Sequence, residues 1–331
     1  MFNNLKKYLS VVSLLFAAFV LYGAKVQFVL PENTFVPYDP GEIKGHLQGF
    51  TAIGQHLYWV SNHHILKTDS KGNVIKRVLL KKENQFRRHG GDPCSVDDKL
   101  YIPYCSEKFC IPIEGRVSMN FVQVYDKDLN YLKTYHLPQI KYGAGCMTYA
   151  DGQFFVSGGK SFFEDGNSIY VYDRDFNFIR EHKIAVNSRS GIQTLTFDGK
   201  DFWLGFYGRR PSQTLRLSKD FELLGAYKFS GSTGILALQD NKMLISDYTV
   251  KSAKVIDPEK FKYDLEFVEI DHNGIITYRG KKYTNLNQFY SQAQDYIKSV
   301  FVVRCSAKLP FEKWLSTSSP SSQTFPSLSK S

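Results

Sequence analysis

The chain has 331 residues, carries 42 Lys and Arg against 32 Asp and Glu for a net charge of +10, and contains 26 Phe and 21 Tyr but only 4 Met. This weighting suits half-buried pleated sheet and tells against a bundle of long helices; the length admits one large repeat-closed domain with a small companion. The basic residues are spread along the sequence, densest at Lys81, Lys82, Arg87 and Arg88, without the interleaved basic and aromatic residues that mark a nucleic-acid binder, so no nucleic-acid partner is expected.

Residues 1–24 carry Lys6 and Lys7, an apolar run from Tyr8 to Tyr22, and then Gly23 and Ala24, the layout of a signal peptide. The run falls short of the roughly 20 residues that a membrane-spanning helix needs. A periplasmic or secreted protein is therefore expected. Because bulky Tyr22 stands where cleavage prefers a small residue, an uncleaved N-terminal anchor is the alternative, and the one expected membrane contact.

From Gly49 to Asp257 one unit recurs five times at a period of about 40 to 50 residues: an apolar strand, a tight turn, a strand with a large aromatic, a strand ending in Asp, a second turn and a last apolar strand. In the first copy these are Gly49–Ile53, Leu57–Ser61, Ile65–Asp69 and Val74–Leu80. A lone four-stranded sheet cannot cover both apolar faces until neighbours pack against it, so the repeat predicts a β-propeller. The fold class expected is all-β, a five-bladed β-propeller over residues 25–262 with a small C-terminal α/β appendage. The fifth copy lacks a fourth strand, and Lys25–Leu30 is expected to supply it; a sixth blade built from residues 25–45 and 262–280 is the competing count.

Five cysteines suit an oxidising compartment. Cys105 and Cys110 share one long loop and are expected to form a local disulfide, while Cys94, Cys146 and Cys305 have no assigned partner. From Tyr263 the pattern becomes strand, hairpin, strand, an amphipathic helix over Leu286–Ile297 and a last strand at Val300–Val303, a small α/β unit over 263–315; the Ser-, Thr- and Pro-rich tail 316–331 is expected to be disordered. Through Asp271 to Gly280, Val300 to Ala307 and Pro310-Phe311, about 50 residues in all, this unit resembles the periplasmic domain of the ExbD/TolR biopolymer-transport family. That family's final helix is replaced here by the tail, and the acidic residue of its membrane helix is missing, so the resemblance implies no proton-driven work.

Aligning the blades sets His46, Gln48, His89 and Gln193 just before first strands, the strands that line a propeller's channel. Gln48 and Gln193 each lie three residues before a Thr, and His46 and His89 each lie 12 residues before the recurring Tyr; Asp92 sits beside them, with Cys146 in the matching segment of blade three. The five residues His46, Gln48, His89, Asp92 and Gln193 are thus expected to meet at one channel mouth. Two imidazoles, a carboxylate and amides suit a sugar, or a divalent metal with His46 and His89 as ligands. Tyr58, Tyr101, Phe155 and Trp203 recur as packing residues, and Asp69, Asp126, Asp173 and Asp257 as turn caps.

The motifs His46-Leu-Gln48-Gly49, His89-Gly-Gly-Asp92 and Gly191-Ile-Gln193-Thr194, the last followed by Phe202-Trp203 and Phe206-Tyr207-Gly208, resemble a set of secreted bacterial propellers over roughly residues 45–258. The resemblance implies a shared site and no particular activity. The function expected is a ligand-binding or scaffolding module of the cell envelope, with a carbohydrate, another small ligand or an envelope protein as partner. A metal-assisted polysaccharide lyase or hydrolase is the alternative; paired-carboxylate hydrolysis needs two channel acids, and Asp92 alone is well placed.

Overall fold

The computed structural model describes residues 30, 35–37, 46–83, 88–106, 119–159, 167–184, 186–187, 191–206, 214–247, 252–263, 267–270, 275–278, 280–284, 288 and 301–305. The expected signal peptide and the C-terminal tail lie outside them.

In chain order the strands begin with β1 (Phe35–Pro37). Blade one holds β2 (Leu47–Ile53), β3 (His56–Ser61), β4 (His64–Thr68) and β5 (Val74–Leu79). Blade two holds β6 (Arg88–Gly90), β7 (Cys94–Val96), β8 (Lys99–Ser106), β9 (Asn120–Asp126) and β10 (Tyr131–His136), with both β6 and β7 on β8. Blade three is β11 (Ala144–Ala150), β12 (Gln153–Gly158), β13 (Asn167–Tyr172) and β14 (Phe178–Ile184), followed by β15 (Val186–Asn187). Blade four is β16 (Ile192–Phe197), β17 (Phe202–Phe206), β18 (Thr214–Leu217) and β19 (Leu223–Tyr227); blade five starts with β20 (Ile235–Ala237), β21 (Met243–Asp247) and β22 (Ser252–Ile256). After a 3₁₀ turn come β23 (Lys262–Tyr263), β24 (Phe267–Ile270), β25 (Ile276–Tyr278), β26 (Lys281–Tyr283) and β27 (Phe301–Cys305).

Each blade is an antiparallel meander, and blade five is completed by β1, which pairs with β22 through Phe35↔Lys254 and Val36↔Ala253. The fold is a five-bladed β-propeller closed by its N-terminal strand. Closure from sequence-distant strands was expected, and among the described residues the closing strand is Phe35–Pro37; of the expected Lys25–Leu30, residues 25–29 lie outside the described residues, and Leu30 is in no strand and packs on the cluster that holds Val36. The residues invoked for a sixth blade are divided otherwise: β23 adds a fifth strand to blade four, which extends the propeller to Tyr263, and β24 to β26 belong to another sheet.

The blades are held together by side chains from recurring positions. Tyr58 packs with Leu100 and Ile102 of blade two, Phe155 with Leu204 of blade four, and Trp203 with Ile245 of blade five. Turns between third and fourth strands are also built alike. Asp69, Asp126 and Asp173 each accept backbone hydrogen bonds at Oδ1 from the residues two and four positions on, and at Oδ2 from the side chain of Asn73, Asn130 and Asn177. Asp257 caps the 3₁₀ turn, so the expectation that these four aspartates serve the backbone holds.

The fourth residue of these turns is left-handed: Gly72 in blade one, but Leu129, Phe176 and Phe221 in the next three, at φ 61°, 62° and 62°. A side chain there costs about 1–3 kcal/mol of backbone strain, and burial offsets it. Phe176 stacks on Phe154 at 4.5 Å and meets Tyr135 of blade two at 4.4 Å, so the strained residue plugs the seam between blades. Phe176→Ala is expected to cost about 3–5 kcal/mol and Phe176→Gly less, because glycine accepts the turn geometry; urea-unfolding midpoints in the reverse order would show that strain is not part of the balance.

Beyond the propeller, β24 and β27 pair in parallel, with Phe267↔Val302 and Ile270↔Cys305, which requires a crossover between them. The expected helix in that crossover lies outside the described residues except for Gln288, which is helical. β26 extends the expected hairpin, and β15 joins the sheet from the propeller side through Val186↔Val302.

Candidate functional site

Register confirms the blade equivalence that the sequence suggested. First strands carry a bulge at the same place: between Leu47 and Gly49, between Ala144 and Cys146, and between Ile192 and Thr194. The residues at these bulges are Gln48, Gly145 and Gln193. Bulges bend a strand and re-aim a side chain, so a glutamine is set at matching points of blades one and four. His46 and His89 likewise stand one residue before Leu47 and Gly90, which pair with Ser61 and Tyr104 at matching positions of their second strands.

The best-connected part is in blade one. Gln48 is 4% exposed; its Nε2 lies 2.6 Å from Nε2 of His46 and donates to Oδ1 of Asn62 at 2.5 Å. The amide N–H can donate to this ring nitrogen in the His46 tautomer that leaves it without a proton. The Asn62 carbonyl in turn accepts from the N–H of Gly90 at 3.0 Å, tying the group to the strand that carries His89. Asn62 is the member that sequence reasoning missed; it has no counterpart among the repeats and reads as an ordinary turn residue. Gln193 is half-buried at its own bulge.

Asp92 has a different place. It is 1% exposed and links four blades: its N–H donates to the Gly145 carbonyl at 2.9 Å, its carbonyl accepts from Met147 at 3.1 Å, and its Oδ2 accepts from the Leu195 N–H at 3.0 Å. The Phe50 N–H of blade one acts on the same carboxyl. Burial pushes the Asp92 pKa well above the ordinary carboxylate value, against the pull of the Leu195 and Phe50 amides. Burial and then the nearby Asp92 likewise raise the Cys146 thiol. The site residues are therefore unequal: Gln48, His46 and Asn62 form one hydrogen-bonded group, while Asp92 is an axial cross-link engaged by main chain.

Close approach at the axis explains the glycines. A Cβ on Gly49 would overlap the Asp92 carboxyl, and one on Gly91 would overlap the Gly145 carbonyl of blade three. Among the described residues, no three His, Cys, Asp or Glu side chains come together to hold a metal ion. Cys105 is disulfide-bonded; Cys110, its expected partner, lies outside the described residues, and Cys94 and Cys146 are buried.

No family model and no curated protein matches the chain. Solved structures do align with it at low identity. A protein of unknown function from Bacteroides caccae matches over 62% of this chain and 72% of its own, at 9% identity and a TM-score of 0.43. BamB from Moraxella catarrhalis matches over 66% of this chain and 60% of its own, at 13% and 0.34, and the Pan2 WD40 domain of Neurospora crassa over 72% and 73%, at 8% and 0.39. Nothing about activity follows from likeness at this level, and the blade count rests on the strand order itself.

Proposed function

We propose that this chain is an extracytoplasmic propeller that works by binding, a ligand-binding or scaffolding module of the cell envelope whose contact site is the channel mouth around His46, Gln48, Asn62, His89 and Gln193. The export signal read at residues 1–24 supports the location, and the α/β unit after Tyr263, with its ExbD/TolR-like pattern, is the part suited to position the propeller beside an envelope partner. One observation carries the reading: Gln48, buried at a strand bulge, hydrogen-bonds both His46 and Asn62 at the start of the first strand, and a second glutamine occupies the equivalent bulge of blade four. Polar side chains gathered around a channel mouth are the few convergent groups by which a binding site orients its ligand.

An array of soluble neutral and acidic oligosaccharides tests the reading. Wild-type protein is expected to retain at least one class, and the Gln48→Ala/Gln193→Ala variant to lose it with thermal stability little changed. Retention that is indifferent to both glutamines, or none by the wild type, would refute the mouth as the binding site.

A further inference from the structure

Each blade ends on an outer strand, and this chain repeatedly sets a further strand beside an outer edge. β1 closes blade five on β22, β23 lies against β19 of blade four, and β27 pairs with β15, which follows β14 of blade three. β5 of blade one stands at the end of its sheet, with no strand beyond it among the described residues. Its unused backbone groups follow from the pairing. The Leu80 N–H donates to the His63 carbonyl, and hydrogen-bonded pairs recur at every second residue of an antiparallel ladder. In the register His64↔Leu79, Ile65↔Val78 and Leu66↔Arg77, Val78 is therefore bonded inward, while Arg77 and Leu79 turn their N–H and C=O to the open edge.

The side chains along that edge are apolar and basic. Val74, Ile75 and Leu79 are three of the eight large apolar side chains exposed among the described residues, and Lys76 and Arg77 stand between them, both exposed. One face of the strand is used inside the propeller: Val78 packs on the cluster shared by blades one and two, and Lys76 donates to the Asp128 carbonyl. Arg77 and Leu79 lie on the other face, where Arg77 has no carboxylate partner among the described residues. The other outer strands offer less, since β10 exposes one large apolar residue, Leu132, and β14 carries Glu181 among its cations. Cations on an edge strand refuse a second copy of it. Two β5 strands paired antiparallel would bring Lys76 and Arg77 of both copies together, and like charges across a strand pair repel. An acidic strand meets attraction at the same positions.

We infer that the outer edge of β5 docks an extended acidic peptide segment of another protein, which adds a fifth strand to blade one. Its backbone pairs with Arg77 and Leu79, its carboxylates lie beside Lys76 and Arg77, and its apolar side chains cover Ile75 and Leu79. In this mode main-chain hydrogen bonds supply affinity and side chains supply selectivity. The edge is a second contact surface and does not depend on the mouth.

A displayed library of random heptapeptides, selected on the full chain, supplies the probes, and each retained peptide is titrated by fluorescence anisotropy. Retained peptides are expected to alternate Asp or Glu with Val, Ile or Phe, and to bind at least about tenfold more weakly to Arg77→Glu, where like charges meet. Leu79→Pro removes an outward N–H and leaves the ladder to β4 in place, so it should abolish binding; Leu79→Ala keeps that N–H and should weaken binding less. In the complex, amide hydrogen exchange is expected to slow at Arg77 and Leu79. Thermal midpoints close to wild type show that each variant is folded. Retained peptides without acidic residues, equal binding by Leu79→Pro and Leu79→Ala, binding lost in Gln48→Ala but intact in Arg77→Glu, or no retained peptide at all would each overturn the inference. So would a concentration-dependent dimer that Leu79→Pro dissolves, because the occupant of the edge would then be a second copy.

Discussion

Gly91→Ala is expected to yield little or no folded protein, whereas Gly54→Ala should leave a folded propeller weakened by about 1–2 kcal/mol. Gly54 is in a left-handed turn at φ 59° with open space around it, so an added methyl costs backbone strain alone. Gly91 is buried where blades two and three meet at the axis, and its Cβ would run into the Gly145 main chain and Pro103. Main chain cannot swing aside as a long side chain can. Moving β11 away would also stretch the hydrogen bond from Asp92 to the Gly145 carbonyl, 2.9 Å in this structure. Overpacking costs about 1–3 kcal/mol where neighbours can relax, and this ring has few directions in which to relax. Soluble yield and urea midpoints decide the matter; equal midpoints for the two variants would mean that the axis is looser than its contacts indicate.

Replacing Asp92 should produce the second large effect, and its sign changes with the substitution. Asp92→Ala removes the acceptor for the Leu195 amide and leaves it buried and unpaired, at about 1–3 kcal/mol, besides opening a cavity among four blades. Asp92→Asn keeps an oxygen for that amide and removes the titration. The native pKa of Asp92 is raised, so its contribution is fully present below the unfolded-state pKa of about 3.9 and is lost as pH climbs toward the native value, at up to about 1.4 kcal/mol per pH unit. The groups set against the carboxyl are the Phe50 amide from β2, the Leu195 amide from β16 and the Cys146 thiol from β11, which burial holds neutral. Wild-type stability should therefore fall between acidic and neutral pH relative to Asp92→Asn. Parallel pH profiles for the two proteins would show that the carboxyl is not neutral in the fold.

Much of this architecture could be read before any coordinates. Five copies of one strand pattern set the blade count, and equal spacing from His46 to Tyr58 and from His89 to Tyr101 gave the register that the strand pairs show. The described closing strand, Phe35–Pro37, was not legible because an outer strand pairs on one side only and three residues are too few for periodicity to register. Asp92 was read as a ligand group because its carboxylate falls at the channel. Its partners are amides of Leu195 and Phe50, and main-chain partners from other blades leave no trace in a pattern of side chains. Asn62 was missed because a single asparagine beside a turn has many uses, and its bond to Gln48 spans 14 residues. The two-residue strand β23 is set by the meeting of Ala226 with Tyr263, a contact that no local signal announces.

Ligand is expected to bind at the mouth and not at the aspartate-led turns between third and fourth strands, and side-chain amide NMR reports both places in one spectrum. Gln48, Asn62 and Gln193 mark the mouth; Asn73, Asn130 and Asn177 mark the aspartate-led turns. In a titration with an oligosaccharide that the protein retains, the three mouth amides are expected to shift together along a single binding curve while the three turn amides stay fixed. Shifts confined to the turn amides, or a mouth that does not respond to a ligand the protein demonstrably binds, would contradict the account.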